Sequence, residues 1–140
     1  MVIGHYNEEK AREMLELVNE YRASIDMPAL AMTSELMNSY VAMRAVETSY
    51  LWDHARPNGG RTSYSENIAM SEPDARGNLP DVQAFFDAWL NSPGHKANLD
   101  ASRHLNLTEI SVFYKRCPIY RDGVETGRYA YMEYWVEIFK

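Results

Sequence analysis

The stretch "VQAFFDAWLNSPGHKANL", residues 82–99, decides the fold. Val82, Phe85, Phe86 and Trp89 recur at i, i+3, i+4 and i+7, the apolar stripe of a helix that packs on something large. After a short turn Ser92 reads as an N-cap, Pro93 as the first helical position, and His95 falls in the first turn. A cation at a helix N-terminus is disfavoured by roughly 0.3–1 kcal/mol, so the imidazole is expected to stay neutral near pH 7. Its lone pair is then open to a metal or a proton. The plainer reading has His95 fit the turn and bond a neighbouring loop, with the Ser92 hydroxyl engaged by the backbone.

Upstream, Asn7 is expected to cap a helix whose first turn carries Glu8 and Glu9 and whose buried face is Ala11, Met14, Leu15, Val18 and Tyr21. "SIDMPAL" (24–30) breaks it. Thr33 or Ser34 then starts a second helix, with Leu36, Tyr40, Met43, Val46 and Tyr50 sharing a side. "LWDHARPNGGRTSYS" (51–65) has Pro57, Gly59 and Gly60 and no period, so it reads as a long loop. Ordered loops of that length in small domains tend to carry function. "ENIAM" (66–70) resumes as extended chain, and "SEPDARGNLP" (71–80) is turn chemistry.

Downstream, "EISVFY" (109–114) alternates, with Ile110, Val112 and Tyr114 on one side, and "YAYMEYWVEIF" (129–139) does the same. Asp122-Gly123 between them is a hairpin signal. Helices precede strands without a βαβ rhythm, which points to an α+β layered domain.

One domain is expected over residues 1–140, since 46% apolar and 12% aromatic residues can build a sizeable core. A formal charge of −6 without a Lys/Arg cluster excludes a nucleic-acid partner, because phosphate neutralisation needs clustered cations. The one cysteine, Cys117, permits neither an intrachain disulfide nor a cysteine metal site and reads as a small apolar filler. No transmembrane run and no signal peptide is visible. Asn106-Leu107-Thr108 spells a glycosylation sequon, but Thr108 reads as a strand start; His5 and His104 receive no role.

"HARPNGGRTSYSENIA" (54–69), "FFDAWLNSPGHKANL" (85–99) and the strand pair "LTEISVFY" and "YWVEIF" together resemble the bacterial branch of the CAP superfamily of cysteine-rich secretory, antigen 5 and pathogenesis-related proteins. The resemblance runs from about Met14 to Phe139. It implies an α-β-α sandwich, a central antiparallel sheet flanked by helices, in which His54, Glu66 and His95 meet in an open cleft with Ser92, Tyr64 and Arg56 around it. Many members complete a tetrad with a second Glu where this chain has Ser92, a poorer metal ligand and no general base. The family also implies an extracellular or cell-surface location and a small-molecule or lipid ligand, or a protein partner.

Three functions are weighed on these residues. In the first the chain is a binding module whose His54, His95 and Glu66 hold Zn²⁺ or another divalent cation, with water in the fourth position, or a small ligand. In the second it is a hydrolase with His95 as base, Glu66 as orienting carboxylate and Ser92 or a metal-bound water as attacking group. In the third the three residues only lock the long loop to the third helix. Tyr50, Trp52 and Tyr64 form an aromatic rim on one reading and core or loop anchors on the other.

Overall fold

The computed structural model describes residues 2–32 and 40–140. In chain order these form β1 (Gly4–Tyr6), α1 (Glu8–Ser24), β2 (Ala31–Met32), α2 (Tyr40–Thr48), β3 (Ser65–Ser71), α3 (Val82–Leu90), α4 (Pro93–Leu99), β4 (Leu107–Arg121) and β5 (Val124–Phe139). The sheet runs β1-β4-β5-β3, antiparallel throughout, and β2 adds a short parallel pairing to β4.

The helices lie in two layers. On one face Phe85 and Trp89 of α3 cover Trp135, their rings lying 5.0 and 6.3 Å from it, and Met14 and Val18 of α1 join the same core. On the other face Arg44 of α2 bonds Glu66 of β3, and Tyr6 Oη donates to Ala42 O at 3.1 Å. The strands therefore lose the usual apolar-in, polar-out contrast. Every residue of β4 from Thr108 to Tyr114 and of β5 from Glu133 to Phe139 is buried, because both faces are covered. This is the α-β-α sandwich expected.

Local chemistry sets the element ends. Asn7 caps α1 through its side-chain oxygen, which accepts from Lys10 N at 3.1 Å. Asp122 and Gly123 both adopt positive φ, 52° and 78°, as a two-residue type I′ hairpin turn requires. Past Cys117 the β4–β5 ribbon leaves the helix layers, and residues from Pro118 to Tyr129 are exposed.

The buried face of α2 differs from the expected one. Met43 and Tyr50 are 50% and 56% exposed, whereas Val41, Ala45 and Thr48 are buried together with Arg44. Two buried carboxylates, Glu47 and Glu66, draw the guanidinium inward and rotate the apolar pattern away from the Tyr40–Met43–Tyr50 side. The expected helix start at Thr33 or Ser34, and Leu36, lie outside the described residues.

Glu137 is wholly buried on β5. Burial pushes its carboxyl up to about 8, only partly opposed by Thr108 and Arg22. Thr108 Oγ1 lies 2.8 Å from Ile138 O and 2.9 Å from Glu137 Oε2. One hydroxyl proton cannot serve both acceptors, so a neutral Glu137 that donates from Oε2 to Thr108 Oγ1 accounts for both contacts.

Two outcomes follow from this packing. Trp89 is 1% exposed and donates Nε1 to Ile68 O at 3.2 Å; Trp89→Ala should cost about 3–5 kcal/mol in denaturant unfolding and Trp89→Phe about 1–3 kcal/mol. For Glu137 the folded carboxyl lies above its ordinary value of 4.5, so between there and about 8 the unfolded chain releases a proton that the native state keeps. Stability should fall by about 1.4 kcal/mol per pH unit across that window and level off above it. Glu137→Gln should abolish this part of the decline when the two proteins are unfolded side by side at a series of pH values.

Candidate functional site

The site is organised by β3, an edge strand whose outer backbone groups would otherwise be open to pairing. Its outward carbonyls are taken by side chains of α3 and α4: Ile68 O by Trp89 Nε1 at 3.2 Å and Glu66 O by Asn98 Nδ2 at 3.3 Å. Asn67 returns the contact, donating Nδ2 to His95 O at 3.1 Å while its Oδ1 accepts from Asn98 at 2.8 Å. The asparagines of "ENIA" and "HKANL" thus clamp α4 to the sheet. His95 stands at a fixed place as a result.

On the other side of β3, the Glu66 carboxylate is held by a fork. Arg44 Nε reaches Oε2 at 2.9 Å and Nη2 reaches Oε1 at 3.0 Å, both groups being buried. The same Oε1 lies 3.0 Å from His54 Nδ1. An ionised carboxylate only accepts, so the proton of a neutral His54 sits on Nδ1 and Nε2 keeps its lone pair. Arg44 also donates to Asp53 O at 3.2 Å, tying the start of the loop to the same fork.

His95 Nδ1 lies 2.9 Å from Ser92 Oγ. Ser92 is the N-cap of α4 by position but makes no side-chain cap bond, so the expected engagement of its hydroxyl with the backbone is replaced by this contact with the imidazole. The His95 imidazole is pushed down from its ordinary value, first by burial and then by the nearby His54. The neutral state is the one expected, and these are its causes.

His54 and His95 share an open cleft of about 470 Å³ with Trp52, Asp53 and Ile68. Glu66 stands behind His54, both of its oxygens already engaged. The other three side chains expected around the cleft are not among those lining it. Ser92 contacts His95 from the N-cap of α4, Tyr64 packs on Tyr40 and Lys140, and Arg56 forks onto Glu47 while stacking over Tyr40. Trp52 is 46% exposed and so belongs to a rim rather than the core. Asp53, beside His54, also lines the cleft; its Oδ1 accepts from Ala55 N at 3.0 Å, and backbone bonds hold its carboxyl below the usual range.

Donor chemistry decides what the cleft can hold. Two neutral imidazoles are good ligands for zinc and similar ions. Among the described residues no group of three His, Cys, Asp or Glu side chains is gathered for a metal ion; the two imidazoles that line the cleft are the side chains there that could ligate one.

The comparisons agree with this architecture. The family model described as cysteine-rich secretory protein family matches residues 15–139, and the chain belongs to that CAP family. Among solved structures an outer surface protein of Borrelia burgdorferi is similar over 99% of this chain and 98% of its own, at 15% identity and a TM-score of 0.59. An extracellular SCP-domain protein of Bacillus anthracis is similar at 16% identity and a TM-score of 0.56, over 95% of this chain and 41% of that one. A cysteine-rich secretory protein of Staphylococcus aureus gives 15% identity and a TM-score of 0.53, over 93% and 39%. At such identities the likeness is one of fold. No curated protein matches the sequence. Among the described residues no helix is long and apolar enough to cross a membrane.

Removing Arg44 would leave Glu66 and Glu47 buried without their common partner. Arg44→Met is therefore expected to cost about 3–5 kcal/mol in unfolding experiments. Nitrogen-15 NMR of the wild-type protein should find the neutral His54 protonated on Nδ1; a predominant Nε2–H tautomer would contradict the Glu66 contact.

Proposed function

We propose that this chain is a binding module of a secreted or surface-associated bacterial protein, and that His54 and His95 hold a divalent cation, zinc by donor type, in the cleft. The observation that carries the reading is the pair of tethered rings. Each Nδ1 is occupied, by Glu66 at 3.0 Å and by Ser92 at 2.9 Å, and both imidazoles line the same open hollow. Carboxylate or hydroxyl contacts of this kind fix ring orientation and raise ligand basicity at metal sites. The bound ion would present open positions to a small ligand, with Trp52 and Ile68 as apolar flanks. The surface and extracellular descriptions of the Borrelia and Bacillus proteins support the location.

Hydrolysis is the weaker reading. Ser92 Oγ is within reach of His95 Nδ1 but does not line the cleft, so it serves the imidazole as an orienting group and does not face a substrate. The purely structural reading shares the same bonds and differs only in having nothing bound.

Calorimetric titration with Zn²⁺ decides. Binding should be lost in His54→Ala and in His95→Ala, and weakened about 10–100-fold in Glu66→Gln. Equal heats in the wild type and both alanine variants would overturn the metal site. A wild type that takes up no zinc, with a Glu66→Gln variant whose only defect is a lower Tm, would leave the structural role standing.

A further inference from the structure

A second cavity, of about 510 Å³, lies where the β4–β5 ribbon leaves the helix layers, and it shares no lining residue with the His54–His95 cleft. Its floor is aromatic. His5 of β1 pairs in register with Tyr114 of β4, and its ring lies 5.0 Å from Tyr114 and 5.3 Å from Tyr131, tilted against one and edge-on to the other. Tyr129 continues the wall two residues along β5, on the same side as Tyr131. The opposite wall is the loop containing Asp74, which is stiffened by its own bonds: Asp74 Oδ1 accepts from Arg76 N at 2.8 Å and Asn78 N at 2.9 Å, and Asp74 N donates to Asn78 O at 2.8 Å.

Charge narrows what such a cavity can take. The Arg116 guanidinium already lies 3.7 Å over the Tyr129 ring, and Lys10 Nζ is 5.7 Å from the Tyr114 ring. A cationic guest would come close to these two resident cations, which lie against the lining rings without lining the cavity themselves. An anion meets the Asp74 carboxylate, which backbone N–H bonds hold ionised. A neutral guest avoids both. Tilted and edge-on rings leave room for a flat aromatic partner, and the Asp74 carboxylate, which lines the cavity, is an acceptor for one hydrogen bond from it. The volume is within the range of small-ligand sites.

We propose that this cavity binds a small uncharged aromatic molecule bearing one N–H or O–H donor, of the indole or phenol type, with its ring against His5, Tyr114 and Tyr131 and its donor on Asp74. The site is independent of any metal in the other cleft.

Protein-observed NMR titration with indole tests it, with N-methylindole and benzyltrimethylammonium as comparison ligands. Indole should produce saturable shifts at His5 and Tyr131, and N-methylindole, which keeps the ring but not the donor, should bind about tenfold more weakly. Asp74→Asn, which retains the oxygen that the turn requires, should remove that difference between the two indoles. Ala75→Trp, at an exposed loop position lining the cavity, should block both. The proposal is overturned if indole gives no saturable shifts up to millimolar concentration, if they centre on His54 and His95, or if benzyltrimethylammonium binds as tightly. The wild-type comparison of the three ligands stands even where a variant fails to fold.

Discussion

The fork between Arg44 and Glu66 is the contact on which the architecture and the site both depend. It joins α2 to the edge strand β3 across one face of the sheet, with both side chains nearly or wholly removed from water. A lone buried carboxylate or a lone buried guanidinium would be expensive. Paired and hydrogen-bonded they are tolerated, and the geometry of the fork leaves Glu66 Oε1 aimed at His54 Nδ1. The ion pair that holds a helix on the sheet thereby also selects the tautomer of an imidazole in a loop.

The other imidazole is placed by a different device. β3 has an open edge, and α3 and α4 close it with side-chain donors in place of another strand. Trp89, Asn67 and Asn98 form one connected set of bonds that brings the α4 N-terminus against the sheet, and His95 is carried with it. The "ENIA" and "SPGHKANL" segments are consequently two halves of one joint. Together they set where His95 stands.

Several buried polar side chains are held by bonds inside the core. Arg22, fully buried near the end of α1, donates to the carbonyls of Pro28, Leu99, Ala101 and Leu105 and so ties α1 to the segment after it and to the chain that follows α4. Lys10 and Trp135 share Glu133 on the opposite half of the same sheet face. Such groups make the interior specific in shape, since each bond is directional where apolar packing is not.

The residue order determined which elements form. The i, i+3, i+4, i+7 stripe of Val82, Phe85, Phe86 and Trp89, the Asn7 cap and the Asp122-Gly123 turn are local in their physics, and each produced the element expected of it. The family resemblance implies that His54, Glu66 and His95 meet in one cleft; His54 and His95 line it, and Glu66 stands behind His54. What stayed hidden depended on contacts distant in sequence. The rotation of α2 could not be read from its apolar pattern, because a charged Arg44 goes inside only when Glu47 and Glu66 are there to meet it. The bond from Ser92 to His95 in place of a cap, the occupation of both Glu66 oxygens, and the ring cluster that gives His5 a place were invisible for the same reason. Hydrogen bonds and ion pairs acquire their sign and strength from partners that only the folded chain brings within reach.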